Sequence, residues 1–454
     1  MKTGNDYLIT QKPLNALLIF AIPIVIGNLF QQFYNMIDSA IVGRYVSEQA
    51  LAAVGASYSL TNIFICVAIG GGMGASVIVS RYFGAKEYNK MKLAILTAFA
   101  AFLVMSIVLG GIGLLFSRKI LILLGTPDDV LDMAAVYLDI YFLGLPFLFM
   151  YNILSSMFNA LGKSKFPLTF LIFSSILNVI LDVYMVTVLQ MGVAGVAWAT
   201  LIAQGISAVL SGVVFYHVLH GITHEKTVFF SWSELGLMTR IALPSILQQS
   251  IVSIGMLLVQ SVVNSFGSEA LAGYSAAMRI ESICIVPMTG IGNAISSYTA
   301  QNLGANKLER VVKGYHAANG MVAVCAAIIC IVLRMFTGPI ISIFLGDSGT
   351  QTAVQTGENC LMFMGWFFCF IGFKMAADGL LRGAGDMPMF TTANLVNLFI
   401  RVVFSVTMAP KFGIRMVWYA VPIGWFANWV ISYFEYRTGK WKTIYNKKKQ
   451  ASST

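Results

Sequence analysis

Residues 21–38 read AIPIVIGNLFQQFYNMID, and residues 242–259 read ALPSILQQSIVSIGMLLV. Both are apolar runs with a proline in third place, Pro23 and Pro244, which stand 221 residues apart. The same spacing returns Ser47-Glu48 as Ser268-Glu269, Pro167 as Pro388 and Gly192 as Gly413. Gly84-Ala85 returns as Gly304-Ala305 at a spacing of 220, so a one-residue deletion, made up again before Pro167, relates the two copies. Each half is a series of long apolar segments. Internal symmetry of this kind belongs to transporters that rock one half against the other around a central site; an enzyme or a receptor has no obvious need for it.

Composition makes lipid the solvent. Hydrophobic residues are 58% of the 454 and charged residues 11%, with a mean hydropathy of +0.79, whereas a soluble domain carries about 25% charged residues. A membrane span needs roughly 20 apolar residues. Twelve such runs occur, at about 14–37, 51–78, 93–116, 134–158, 167–190, 192–216, 240–264, 270–298, 315–338, 357–381, 388–410 and 413–435. Only Leu189-Gln190-Met191-Gly192 divides 167–216, and Gly413 marks the matching break in the second half. The expected fold is all-α: twelve transmembrane helices in two six-helix lobes related by a parallel repeat. The expected organisation is a first lobe over 1–216, a cytoplasmic linker over 217–239, polar and without pattern, and a second lobe with a basic tail over 240–454.

The net charge is +10, and its placement sets the topology. With a cytoplasmic N-terminus, inner segments hold 20 of the 29 Lys and Arg residues, among them Lys2, Lys86, Lys90, Lys163, Lys226, Lys307, Arg310 and the Lys447-Lys448-Lys449 run. Outer segments hold about six: Arg44, Arg118, Lys119, Arg334, Lys411 and Arg415. The positive-inside rule therefore puts both termini in the cytoplasm. The lysine run reads as an anchor near anionic lipid, and nucleic-acid binding is excluded because these charges sit in short loops beside spans. No removable signal peptide is evident. The six cysteines all lie in apolar segments without metal-ligand spacing and read as small buried residues. His217, His220 and His224 cluster in the central loop and read as solvated. No HExxH, GxSxG or GxxxxGK[ST] pattern occurs, and no cofactor is expected. Gly70-Gly71-Gly72-Met73-Gly74 lies inside an apolar span and reads as a place where helices approach closely.

Ionisable groups in a span cost about 2.5–3.5 kcal/mol on insertion scales, so each needs a reason. Asp38 ends the first span one turn after Tyr34. Asn152 sits in the fourth span, Asn178 and Asp182 share a face of the fifth, and Thr200 lies in the sixth. Shifted by 221, Asp38, Asn152, Asn178, Asp182 and Thr200 become Val259, Phe373, Phe399, Val403 and Val421. Every polar member is apolar in the copy, so the fold does not require them. Such a set suits a shared proton or Na⁺, against the plainer reading of polar contacts that only pack helices. The second half has its own polar residues: Lys374 and Asp378, which are i, i+4; Arg279 and Glu281 opening the eighth span; Gln248 and Gln249 in the seventh; and Arg401, without a partner evident in sequence. Met256, Met278 and Met288 are candidates for an adaptable cavity, against the commoner reading of methionines on lipid-facing helices.

With these residues in view, the chain over about 10–440 resembles the MATE family, the multidrug and toxic compound extrusion transporters. The resemblance is carried by the repeat, Ile37-Asp38 to Gly43, Gly84-Ala85-Lys86, Asn178 to Asp182, Gly192-Val193-Ala194-Gly195-Val196-Ala197 and Leu381-Arg382-Gly383-Ala384-Gly385-Asp386. It implies exchange of H⁺ or Na⁺ for organic solutes, often cations, by alternating access. In the DinF-like branch it implies an ion site at the positions matched by Asp38, Asn152, Asn178, Asp182 and Thr200. The acidic seventh-helix position of NorM-like members is occupied by Gln248 and Gln249, which favours the DinF-like branch. The reading is an H⁺- or Na⁺-coupled antiporter in a bacterial cytoplasmic membrane, in contact with membrane lipids and monomeric, with small organic cations as its substrates. Their cleft is assigned to Tyr34, Gln248, Gln249, Met256, Arg279, Met288 and Asp378. Two rivals are a flippase for lipid-linked precursors, for which Arg279, Lys374 and Arg401 speak, and an integral-membrane enzyme, for which no catalytic constellation speaks. Topology is checked by cysteine labelling from outside intact cells: positions 86 and 307 should be missed and those near Glu48 and Asp347 reached, and the reverse pattern contradicts the assignment.

Overall fold

The computed structural model describes residues 6–224, 227–346 and 349–442, without the side chains of Glu48 and Ser59. Lys2, Lys226, Asp347 and Lys447 to Lys449, which enter the topology argument, lie outside the described residues. After a one-turn helix α1 (Tyr7–Thr10) come α2 (Pro13–Tyr45), α3 (Glu48–Ala85), α4 (Tyr88–Leu123), α5 (Asp128–Ala160), α6 (Lys165–Val183) and α7 (Gly192–His220). The second half follows with α8 (Trp232–Asn264), α9 (Ser268–Gly304), α10 (Leu308–Leu345), α11 (Gln351–Gly365), α12 (Phe368–Ala384), α13 (Met387–Phe412) and α14 (Arg415–Thr438). Twelve transverse elements result if α11 and α12 count as one.

The expected span 357–381 is a correction: α11 and α12 meet at a 55° bend across Trp366-Phe367. Among the described residues nine helices are long and apolar enough to cross a membrane, or ten with the bent pair. The helices α9 and α14 fall short of that test because they carry polar residues on buried faces, including Glu281, Gln301 and Asn302 on α9 and Asn428 and Glu435 on α14. Length and context, not hydropathy alone, assign them as spans. The linker is also shorter than its composition suggests. Helix α7 runs on to His220 and α8 begins at Trp232, because helical propagation needs no apolar residue once a long helix is formed.

Local chemistry places the breaks. The Ser47 Oγ accepts from Ala50 N at 3.0 Å and starts α3, as an N-cap does. Both copies of the Gly-Ala turn contain one left-handed residue, Lys86 at φ 61° and Asn306 at φ 59°. The break expected at Leu189 to Gly192 is present: a π-helical turn, Tyr184–Val188, leads into Gln190 at φ 53° and Gly192 at φ 57°. Its counterpart Gly413 has φ 90°. The glycine run in α3 serves close packing. A Cβ on Gly70 would lie 2.6 Å from the Ile246 backbone, and one on Gly74 would lie 2.5 Å from that of Ala242. Large apolar side chains line the outer faces of equivalent helices, such as Val104, Ile107 and Leu115 on α4 and Val324, Ile328 and Met335 on α10. An apolar surface of that extent fits lipid, not water.

The chain divides into two compact units, Ile26–Ile246 and Met1–Val25 with Leu247–Thr454. The division falls inside α2 and α8 and not in the 217–239 linker. In the first-repeat unit, Ser231 N donates to Thr97 Oγ1 at 3.1 Å and Tyr82 Oη donates to both Glu234 carboxylate oxygens, at 3.0 and 3.1 Å. In the second-repeat unit, carbonyls at the end of α1 are held by three side chains of the α9–α10 turn. Asn302 Nδ2 donates to Leu8 O at 3.1 Å, Lys307 Nζ to Ile9 O at 2.8 Å and Arg310 Nη2 to Gln11 O at 2.5 Å. Each unit thus secures the entry to the leading helix of the opposite repeat.

The second-repeat unit also contains a satisfied buried ion pair. Lys374 Nζ lies 3.1 Å from Asp378 Oδ2, with both side chains 3% exposed. Asn394 Nδ2 donates to the same oxygen at 3.1 Å and Ser432 Oγ to Asp378 Oδ1 at 3.2 Å. One turn further on, Arg382 donates to Ser296 Oγ at 3.2 Å and Asn293 Oδ1 at 2.9 Å. Breaking a buried pair by removing one partner strands the other charge. Lys374→Met should therefore lower the stability of the purified protein by about 3–5 kcal/mol, while Lys374→Met with Asp378→Leu should recover most of that loss. Equal thermal midpoints for wild type and the single variant contradict the pairing.

Candidate functional site

Four helices bring the polar set of the first repeat together inside the unit Ile26–Ile246. Tyr34 and Asp38 lie one turn apart on α2, Asn178 and Asp182 one turn apart on α6, Thr200 on α7 and Tyr137 on α5. Asn178 and Asp182 are buried, Asp182 with no exposed surface. The Asn178 amide is the hub. Turned so that both ends are matched, its Nδ2 donates to Tyr34 Oη at 2.6 Å and to Asp182 Oδ2 at 2.9 Å. Its Oδ1 then accepts from Thr200 N at 3.1 Å and from Thr200 Oγ1 at 3.3 Å.

The carboxyl groups of Asp38 and Asp182 are within hydrogen-bonding reach of each other. Two carboxyl oxygens make such a bond only with a proton between them, since both are otherwise acceptors. The other oxygen of each, Asp38 Oδ1 and Asp182 Oδ1, has no partner among the described residues. The pair therefore retains free acceptor capacity at membrane depth, where an unpaired acceptor is costly. A small cavity beside the cluster is lined by Tyr137, Tyr141, Thr200 and Gln204. Such a site can hold a proton between the carboxylates, or a small cation on the oxygens.

Four of the five expected ion-site residues, Asp38, Asn178, Asp182 and Thr200, are brought together. Asn152 is not joined to them: its Nδ2 donates to Leu148 O of its own helix at 2.8 Å. Tyr137, which lines the small cavity together with Thr200, was missed by sequence reading; an aromatic inside an apolar run carries no signal of its own. Of the cleft residues, Tyr34 belongs to this cluster.

The remaining cleft residues lie in the second-repeat unit, in unlike surroundings. Met288 is fully buried, with its Sδ 2.8 Å from where a Cβ of Gly372 would be, whereas Met256 is 48% exposed on α8. Arg279 is exposed and Gln249 partly so. Gln248 Nε2 reaches Asn394 Oδ1 at 3.5 Å, at the edge of the Lys374–Asp378 network. In the central loop, His220 and His224 stand 3.4 Å apart and exposed, and the described residues contain no group of three metal ligands.

Comparison with known proteins identifies the family. A family model described as MatE matches residues 23–184 and again 244–407, which is the 221-residue repeat found as two copies. Probable multidrug resistance protein YpnP of Bacillus subtilis is 32% identical over 95% of this chain and 96% of its own. Probable multidrug resistance protein NorM of Thermotoga maritima is 24% identical over 94% of this chain and 92% of its own. Among solved structures, an outward-facing multidrug resistance MATE transporter of the MOP superfamily superposes with a TM-score of 0.91 at 22% identity, over 98% of this chain and 99% of that one. With the repeat, the twelve transverse elements and the family match in agreement, the chain belongs to the MatE family and is a multi-pass membrane transporter, not an enzyme.

Proposed function

We propose that this protein exports amphipathic organic cations from a bacterium across its cytoplasmic membrane, by alternating access, in exchange for H⁺ or Na⁺ bound at Asp38 and Asp182. The observation that carries the reading is the contact between these carboxyls, together with their replacement by valine in the repeat copy. A carboxyl pair with Asn178, Tyr34 and Thr200 around it and two unused oxygens has one ready occupant, a cation. The proton is the better fit, because the two acids already stand close enough to share one. Loading the pair removes its attraction for a cationic solute, so ion entry and solute release compete inside one unit. Competition of this kind needs no wire between distant sites; each ligand need only favour a different state.

The placement is DinF-like, with both termini cytoplasmic. The absence of an acid at Gln248 and Gln249 supports that branch, as does the neutralisation of Asp378 by Lys374. The flippase rival is not favoured. Of the cations it relied on, Lys374 is paired and Arg279 is exposed, and the relatives bear multidrug names.

Proteoliposomes with an imposed pH gradient or an imposed Na⁺ gradient, and a cationic dye as reporter, test the reading. Wild type should move the dye under at least one gradient. Asp38→Asn and Asp182→Asn should each abolish gradient-driven transport with expression nearly intact, since the copy folds with valine at both places. Transport at the normal rate by either variant removes that residue from the ion site.

A further inference from the structure

One face of α8 is apolar and exposed, and a single cation interrupts it. Trp232, Leu235, Gly236, Arg240, Leu243 and Pro244 recur at three- and four-residue steps and so share that face. They line an open groove of about 460 Å³, all within the unit Ile26–Ile246. The other face, with Glu234, Met238, Ile241 and Ser245, is buried. Trp232 is 78% and Leu243 56% exposed, and Val228 and Phe229 carry the exposed apolar surface past the helix start. The Phe230 ring stands edge-on to the Trp232 indole, with centroids 4.9 Å apart, and braces it.

Arg240 is exposed, and none of the ion pairs among the described residues includes it. The acid nearest in sequence, Glu234, lies on the buried face, where its carboxylate accepts from Tyr82 Oη. Thr239, also in the groove, spends its hydroxyl proton on Leu235 O at 2.8 Å, so the guanidinium is the donor this face offers. A Cβ at Gly236 would meet no atom within 4 Å. Glycine is therefore not there for packing; it leaves open space midway between indole and guanidinium. The fold does not require this arrangement. Shifted by 221, Trp232, Gly236 and Arg240 become Gln11, Asn15 and Ile19, whereas Leu235, Leu243 and Pro244 become Leu14, Ile22 and Pro23. Both copies keep the apolar face, and the second alone adds an indole, a gap and a cation to it.

We infer that this face binds one anionic phospholipid, with its phosphate on Arg240, its acyl chains on Leu243 and Pro244, and its headgroup beside Gly236 and the Trp232 indole. A guanidinium presents a planar fork of donors that matches phosphate oxygens. Helical side chains lean toward the N-terminus, so Arg240 reaches from the start of the apolar span toward the headgroups, with its stem on the apolar face. Tryptophan belongs at that level, where one end of its ring is wet and the other apolar. The apolar residues on both sides of Arg240 choose between a lipid and a free anion. A soluble phosphate has no apolar surface with which to cover Leu235 and Leu243, whereas a lipid removes both from water. On the topology proposed above the lipid belongs to the cytoplasmic leaflet, which carries the negative surface potential; binding itself does not depend on that reading, nor on the exporter reading.

The test titrates the purified full-length protein in detergent with a phosphatidylglycerol brominated in its acyl chains, and with the phosphatidylcholine of the same chains. The signal is quenching of the part of the fluorescence that Trp232→Phe removes. Phosphatidylglycerol should half-saturate it at a concentration about fivefold below phosphatidylcholine, since only its net negative charge meets Arg240 unopposed. Arg240→Gln should abolish that preference, and Arg240→Lys, which keeps the charge without the fork, should retain part of it. Gly236→Leu fills the open space without meeting a neighbour, so it should weaken phosphatidylglycerol binding while the protein stays folded. Glycerol phosphate at the lipid's concentration should not compete. Equal affinity for the two lipids in wild type overturns the inference, as does an unchanged preference in Arg240→Gln. Displacement by glycerol phosphate overturns it too, because the site then takes a soluble anion. If Arg240→Gln does not fold, unchanged binding in Gly236→Leu is decisive against it.

Discussion

A carboxylate at membrane depth has no water to fall back on. Each acid there must find a donor, a fixed cation, a proton or a passing ion, and the two units of this protein meet that demand in opposite ways. Asp378 meets it permanently, with Lys374 at 3.1 Å and bonds from Asn394 and Ser432. Asp182 is equally buried but, among the described residues, receives a bond from Asn178 alone and shares its remaining need with Asp38. One unit carries a closed network and the other an open one. An open network is the kind that an ion can enter and leave.

The repeat makes this contrast informative. Copies of one unit start with the same helices, the matched prolines Pro23/Pro244 and Pro167/Pro388, and the same left-handed turns after Gly84-Ala85 and Gly304-Ala305. Whatever both copies retain serves the fold, and whatever one copy alone has is free for function. Asp38, Asn178, Asp182 and Thr200 fall in the second class, and so do Trp232 and Arg240. Even the shared features differ in chemistry. At the turn after α3, the Tyr82 hydroxyl is held by a carboxylate, while at the turn after α9 cations and an amide hold backbone carbonyls.

Much of this was legible before any coordinates. The 221-residue offset gave the fold class and singled out the polar set, because a polar-to-apolar exchange between copies is visible in letters alone. The Lys374–Asp378 ion pair is consistent with their i, i+4 spacing. What sequence could not supply was the direction in which side chains point on helices that are apolar nearly all round. Met288 and Met256 look alike in sequence, yet one is core and the other exposed. Tyr137 was hidden for the same reason, and Asn152 bonds to its own helix although its residue type suits the site. The bend between α11 and α12 lies at Trp366-Phe367, where apolar residues continue on both sides and give no break in hydropathy.

The central claim is that ion and solute compete for the Asp38–Asp182 pocket. Its most direct measurement is the affinity of the purified protein for a permanently charged amphipathic cation, taken across pH at fixed Na⁺ and across Na⁺ at fixed pH. Affinity should weaken as pH falls or as Na⁺ rises, whichever ion is coupled, and Asp38→Asn should flatten that dependence. An affinity indifferent to both ions contradicts the account, and leaves the carboxyl pair as packing between helices.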